Sequence, residues 1–461
     1  MNSIEKDQVS RRELGKRVAQ VAAVSALAGV AVPSVHAAGS STIQIALIGC
    51  GGRGTGAAGD AMHVKGANVK LVAMADAYKD RLDRSFRTLK GNKDFAEKFD
   101  VPDARKFIGF EAYKQAMDCL KPGDIAIFAT PLAFRWVHFT YAIEKGLNVF
   151  MEKPLSSDGA ASRRLLKLGE EAATKNLKVG VGLMSRHARP LQELHQRIGE
   201  GEIGDIVLMR GYRMAGPVGT FASPPKPKDI SDLEYQIRRF HSFLWAGGGC
   251  FSDFNIHIID HLCWMKNAWP VKAQGVGGRH YRFMDDGTPY VDQNFDSYGI
   301  EYTFEDGTKL MFDGRCMTGA ANIYTSFIHG TKGCAVASKS GDCGAPSSTY
   351  KGLAALADNR IWESTDRSSP YQNEWNDLVD AVTNNKPYNE VKRGVEASLV
   401  TSMGRMAAHT GLEITFDQML NSQHEFAPGI DKLTGDSPAP LQPEANGMYP
   451  VPAPGRKKTE Y

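Results

Sequence analysis

From residue 43 onward, short runs of Val, Ile, Leu and Ala alternate with longer stretches whose apolar positions recur every three or four residues. The runs at 43–48, 69–75, 125–129 and 148–151 are apolar on nearly every position rather than on alternate ones. That is the pattern of a strand buried on both faces, and it predicts a parallel sheet. Segments 53–64, 80–89 and 136–145 predict the intervening helices, and a helix over 157–175 with a strand over 178–183 closes this unit. Strand and helix in alternation predict a doubly wound α/β domain over 41–184.

Past residue 185 the rhythm changes. Helices are predicted at 191–198 and 250–266, and strands at 206–212, 273–281, 296–304, 309–316 and 326–329. Glu305-Asp306-Gly307 between two of these strands marks a hairpin. Strands with few helices between them predict an α+β domain over 185–415 on a mainly antiparallel sheet. Helices over 374–384 and 394–409 complete it, with room to pack back on the first domain. The last 34 residues hold seven of the chain's 22 prolines. This composition predicts an extended, solvated tail over 416–461 without a core, the other option being an arm laid across a partner subunit. No internal repeat is present.

The residues before the first strand follow another pattern: basic residues, an apolar run over 18–32, then Val35-His36-Ala37. A charged region, a short apolar stretch and a small-residue cleavage site predict a secretory signal over 1–37. The apolar run is too short for a membrane span. Ser10-Arg11-Arg12-Glu13-Leu14-Gly15-Lys16 resembles a twin-arginine export motif, so the mature protein is expected in the periplasm, exported already folded. The leader changes the meaning of the charge. Lys and Arg number 55 against 52 Asp and Glu, a formal +3, of which the leader carries +2. A nearly neutral mature chain argues against nucleic acid or an acidic membrane as partner. The seven cysteines (Cys50, Cys119, Cys250, Cys263, Cys316, Cys334, Cys343) include no Cys-x-x-Cys pair, which removes the usual zinc-ribbon and thiol-redox signals.

Candidate chemistry begins at Gly49-Cys50-Gly51-Gly52-Arg53-Gly54, a G-x-G-x-x-G turn between a strand and a helix. Gly49 allows the tight turn, Gly51 and Gly52 admit a pyrophosphate, and Gly54 lets helix and strand pack closely. The N–H groups of the helix start, at Arg53, face the phosphates. Asp76 ends the second strand, where a carboxylate accepts ribose hydroxyls and repels a 2′-phosphate, favouring NAD over NADP. Two further strands end in Ala129-Thr130-Pro131, with His138 beyond, and in Glu152-Lys153-Pro154. The carboxyl ends of parallel strands border the ligand crevice, so Thr130, Pro131, His138, Glu152 and Lys153 are expected at the cofactor edge. Gly247-Gly248-Gly249 precedes Asp253, His257, Asp260 and His261, which share a helix face. A His among carboxylates at this spacing suits general-base work near neutral pH. The same four residues also have metal-ligand chemistry.

These motifs together resemble the Gfo/Idh/MocA family of sugar and polyol oxidoreductases, over nearly the whole mature chain and closest to its exported members. The resemblance implies a Rossmann domain, a second domain with a large open antiparallel sheet, and catalysis without metal. It carries Lys153 over as the catalytic lysine, with Asp253 and His257 as partners in proton transfer. His257 would take the hydroxyl proton, Asp253 would orient the imidazole, and Lys153 would stabilise the alkoxide. Arg186, His187, Arg213, Arg239, Trp245, Asp260 and His261 are the candidates for the sugar site. Outside the cytoplasm NAD is expected to stay tightly bound and to be recycled in place, by a second substrate or by a ping-pong exchange between two sugars, in what is expected to be a homo-oligomer. The alternatives are an NAD-dependent glycoside hydrolase or lyase acting by transient oxidation and β-elimination, and a non-catalytic sensor on the same fold.

Overall fold

The computed structural model describes residues 42–281, 283–341 and 346–460. The expected leader and Cys343 lie outside them. Among the described residues no helix is long and apolar enough to cross a membrane.

Six parallel strands form the first sheet: β1 (Ile43–Ile48), β2 (Val69–Asp76), β3 (Lys106–Ile108), β4 (Ile125–Phe128), β5 (Asn148–Met151) and β6 (Val179–Val181). Their order is β3-β2-β1-β4-β5-β6. The order reverses between β1 and β4, which opens a crevice at the carboxyl ends of the strands. β1, β4 and β5 are buried along almost their whole length, as expected of strands covered on both faces by helices. Helices α1 (Gly52–Met62), α2 (Lys79–Lys90), α3 (Ala112–Met117), α4 (Arg135–Glu144) and α5 (Gly159–Thr174) provide that cover. β3 and α3 escape the sequence pattern because a three-residue strand and a six-residue helix carry too few positions to show a period.

The second sheet has nine strands. Helix α6 (Arg189–Gly199) leads into β7 (Ile206–Ala215), and helices α7 (Asp232–Arg238) and α8 (Gly249–Lys266) follow. Then come β8 (Lys272–Gly278), β9 (Ser297–Thr303), β10 (Lys309–Cys316), β11 (Ile323–Gly330), β12 (Gly333–Ser338), β13 (Ser348–Lys351) and β14 (Arg360–Glu363). With the two-residue β15 (Ile414–Thr415) they run in the order β14-β13-β12-β11-β7-β10-β9-β8-β15, antiparallel except between β7 and β10. Alternate burial along β9 and β10 shows one face packed and one open, and α8 lies on the packed face, with Ile258 and Leu262 against Gly211 of β7. The sequence pattern omits β12, β13 and β14. β12 is buried throughout, while β13 and the edge strand β14 are only four residues each, with pairing set by their neighbours.

Helix α9 (Pro370–Thr383) returns to the first domain: Trp375, Leu378 and Val379 join the apolar cluster under β1 and β2. Helix α10 (Val391–Thr410) is buried along nearly its whole length and joins the two halves. α11 (Phe416–Asn421) opens the remaining segment.

That segment corrects the expectation of a solvated tail. Although it holds little regular structure, Phe426, Ile430, Leu441 and Tyr449 are buried against Phe243, Leu244 and Trp245. Gln236 donates to the Leu441 carbonyl at 2.7 Å and Gln293 to that of Pro450 at 2.8 Å. Proline prevents the tail from pairing as a strand, but a few apolar side chains suffice to seat it on a surface formed by other residues.

Candidate active site

The turn after β1 has the geometry a dinucleotide requires. Gly49 has φ +97°, and a Cβ there would meet the Ala129 backbone at 2.6 Å. A Cβ on Gly54 would meet the Gly49 carbonyl at 2.0 Å, whereas the space above Gly52 is empty. Asp76 accepts the Cys50 N–H at 2.7 Å and the Tyr78 N–H at 2.9 Å, which holds its carboxylate at the crevice. Burial raises its pKa, against the pull of these two donors. A cavity of about 370 Å³ opens there, lined by Gly49, Gly51, Gly52, Asp76, Thr130 and Pro131 among others. His138 forms part of its wall, 3.3 Å from the Thr130 hydroxyl through Nδ1. Burial and the nearby Arg135 push its pKa down to about 3, so the ring is neutral. A cradle above the glycines into which no side chain projects, the N–H groups of the helix start and a carboxylate at the strand end fit NAD.

Arg53 lines this cavity too, but its guanidinium is held by Asp60 at 3.0 Å and Glu152 at 2.8 Å, over the Tyr371 ring. It forms part of the wall between this cavity and a second one of about 320 Å³. Ala129, Thr130, Phe240 and His241 also line both, so the two spaces are contiguous.

The second cavity contains Lys153, Asp253 and His257. Lys153 leaves β5 at a cis bond to Pro154. Its Nζ donates to the Asp253 carbonyl at 2.6 Å and lies 3.2 Å from Asp253 Oδ1, joining the first domain to α8 across 100 residues of sequence. The other carboxylate oxygen, Oδ2, lies 3.3 Å from His241 Nε2. Burial alone would raise the Asp253 pKa, but Lys153 and His241 more than offset it and hold the carboxylate ionised. His257 follows one helical turn later and is likewise buried. The Asp253 carboxylate is thus engaged by Lys153 and by His241.

His241, Phe254 and Tyr371 were not anticipated. His241 sits in the loop after α7 with no motif around it, and only the fold brings it to Asp253. Phe254 faces the cavity, 4.9 Å from the Arg213 guanidinium.

Of the residues expected to bind sugar, only Arg213, on β7, lines this cavity. Arg186 and Asp260 form a two-pronged ion pair at 2.9 and 2.7 Å, with Asp260 fully buried. His187 lies between Asp377 at 2.7 Å and Glu390 at 3.2 Å. Arg239 bonds Ser223 and the Ala222 carbonyl, and buried Trp245 donates to Gln236 at 2.6 Å. His261 Nε2 meets Ser326 Oγ at 2.8 Å in the core. These side chains bond other elements of the fold and do not line this cavity. Asp260 and His261 therefore part from Asp253 and His257 in role, although all four sit on one helix.

Comparison with known proteins agrees with this geometry. Residues 43–196 match the family model for an oxidoreductase with an NAD-binding Rossmann fold, and residues 191–336 match the Gfo/Idh/MocA C-terminal domain. Inositol 2-dehydrogenase of Corynebacterium glutamicum is 29% identical over 120 residues, covering 26% of this chain and 34% of that protein. The chain thus spans about a third of the length of that relative. Among solved structures, aldose-aldose oxidoreductase from Caulobacter crescentus superposes with a TM-score of 0.60 at 14% identity, over 81% of this chain and all of that one. Levoglucosan dehydrogenase, solved with NADH and levoglucosan, superposes with a TM-score of 0.60 at 17% identity, over 82% of this chain and 100% of that one. At these identities the superpositions speak to fold alone. The two family matches run without a gap from residue 43 to residue 336, and the chain belongs to the Gfo/Idh/MocA family of NAD-binding oxidoreductases.

Proposed function

We propose that the protein oxidises a hydroxyl-bearing carbon of a sugar or sugar derivative, with NAD as the cofactor. The observation that carries this reading is the Lys153–Asp253 contact, which sets an ammonium beside a chamber contiguous with the dinucleotide cavity. A volume of about 320 Å³ suits a monosaccharide-sized ligand. Its lining mixes hydrogen-bonding groups with the faces of Phe254 and Tyr371, as a largely uncharged polyhydroxyl substrate requires. The names of the matched relatives, which act on inositol, aldoses and levoglucosan, support the same substrate class.

Bound NAD would supply the hydride acceptor. Lys153 would donate a hydrogen bond to the reacting oxygen and stabilise the negative charge that develops on it. His257 would accept the hydroxyl proton. Asp253, kept ionised, would hold Lys153 and His241 in place. Gly49, Gly51, Gly52, Gly54 and the N–H groups at the start of α1 would hold the pyrophosphate, and Asp76 the ribose. Tight cofactor binding agrees with how the second domain closes the dinucleotide cavity, through Thr220, Ile237, Arg238 and Phe240. Export by the twin-arginine route, a periplasmic location and homo-oligomer formation complete the reading.

The test begins by denaturing purified protein and identifying the released nucleotide, then screens sugars and inositols for a change in nicotinamide fluorescence. NAD and oxidation of at least one sugar are expected. Lys153→Ala should retain the nucleotide yet lose about 10³-fold in turnover. Release of an aglycone without net reduction of the cofactor would instead support the hydrolase alternative, and absence of both nucleotide and turnover would overturn the proposal.

A further inference from the structure

Arg405, on α10, is fully buried and bonds to three separate parts of the chain. Its Nη1 donates to the Gly248 carbonyl at 2.9 Å and to Ser252 Oγ at 2.8 Å, at the start of the helix that carries Asp253 and His257. Its Nη2 donates to the Ser157 carbonyl at 2.9 Å, on the loop that begins with Lys153 and Pro154. Nε and Nη2 of the same guanidinium donate to the two oxygens of Glu460, at 2.8 and 2.9 Å, in a fork-to-fork pair. Glu460 Oε1 also accepts from His409 Nδ1 at 2.8 Å, and His409 Nε2 meets the Tyr298 hydroxyl at 2.8 Å. Glu460 therefore supplies the charge that compensates a buried arginine, and it arrives on the proline-rich segment rather than from either catalytic domain. A buried guanidinium deprived of its carboxylate is strongly unfavourable, and its surroundings loosen to admit water.

We infer that Glu460 is a positioning residue of the catalytic centre: by pairing with Arg405 it fixes the Lys153 loop against the start of the Asp253 helix. The segment over 422–460 acts as a strap that completes the active site. The inference rests on the oxidoreductase reading for what is being positioned, but the strap itself has a readout independent of turnover.

The test uses the full-length protein with its nucleotide and compares Glu460→Gln, Glu460→Asp and Ser252→Ala. Glu460→Gln keeps the shape and removes the charge, while Ser252→Ala removes one Arg405 bond without exposing a charge. Glu460→Gln should lower kcat by about 10-fold or more, the scale of a small misplacement of reacting groups. Sugar KM and bound nucleotide should stay within about twofold, because the groups that bind them are untouched. Amide hydrogen exchange should quicken over 153–157 and 249–257. Glu460→Asp should recover most of kcat, and Ser252→Ala should reproduce part of the loss. Unchanged kcat and exchange in both Glu460→Gln and Ser252→Ala would overturn the inference, as would losses of activity and nucleotide in proportion to lost folded protein. If Glu460→Gln does not fold, Ser252→Ala decides by the same readouts. If the unsubstituted protein oxidises no sugar, the functional reading fails, and hydrogen exchange still decides the strap.

Discussion

Asp253 Oδ2 lies 3.3 Å from His241 Nε2, so the carboxylate that grips Lys153 also grips an imidazole from outside its own helix. His241 is held in turn by the Thr220 hydroxyl at 3.0 Å and stacks on Phe254. His241→Phe keeps a ring there but removes one bond to an ionised partner. Sugar oxidation should fall by about 10- to 100-fold in kcat, the worth of such a bond. Bound nucleotide should stay near its original level. Unaltered kcat would mean that Lys153 holds Asp253 without help.

Asp76 is the residue proposed to set the choice of nucleotide. Asp76→Ala removes the acceptor for the ribose hydroxyls and the charge that repels a 2′-phosphate. On nucleotide-stripped protein, NAD affinity should weaken by about 10- to 100-fold, the loss of charge-assisted hydrogen bonds, while the preference over NADP shrinks. Titration of both nucleotides checks this, and an unchanged preference would remove Asp76 from that role.

Arg186 tests the division between site and scaffold. Its ion pair with fully buried Asp260 lies away from the catalytic cavity. Arg186→Ala leaves that carboxylate buried and alone, so stability should fall by about 3–5 kcal/mol in denaturant unfolding. Sugar KM for the folded fraction should not move. A raised KM with intact stability would return Arg186 to the substrate site.

Acid should loosen the α9–α10 region and the strap together. Burial opposes ionisation of Glu390, Asp377 and Glu460, but their partners win: Arg393 and His187 for Glu390, His187 and Arg189 for Asp377, and Arg405 with a hydrogen bond from His409 for Glu460. The carboxyls are thereby held down to about 2, from ordinary values of 4.5 for Glu and 3.8 for Asp. Folded values below unfolded ones mean that this stabilisation is full above about pH 4.5 and is lost as pH falls toward 2. Thermal unfolding midpoints should drop through that window, and Glu460→Gln should flatten the drop. An equal slope in that variant would remove Glu460 from the acid response.

Much of the candidate site was legible in the sequence because its parts are local. Gly49 through Gly54 act through the turn they form, and Asp76, Thr130 and Lys153 act through their positions at or just beyond strand ends. Asp253 and His257 share a helix face at a spacing visible in one dimension. The same periodicity could not separate Asp260 and His261 from them, since a shared face does not tell which turns meet the cavity and which meet β11 and Arg186.

By itself, then, the sequence determined the two fold classes, the nucleotide turn and the core of the proposed catalytic set, through hydrophobic period and short-range spacing. Only the tertiary structure decided the partners of Asp253, the structural role of Arg186, His187, Arg239 and Trp245, and the burial of the proline-rich segment. Each of these depends on a contact between residues far apart in the chain: 74 positions for Arg186 and Asp260, 55 for Arg405 and Glu460. A charged side chain looks the same in sequence whether it faces water, substrate or a buried counter-charge. What separates these cases is the cost of desolvation, which exists only once the chain has closed around it.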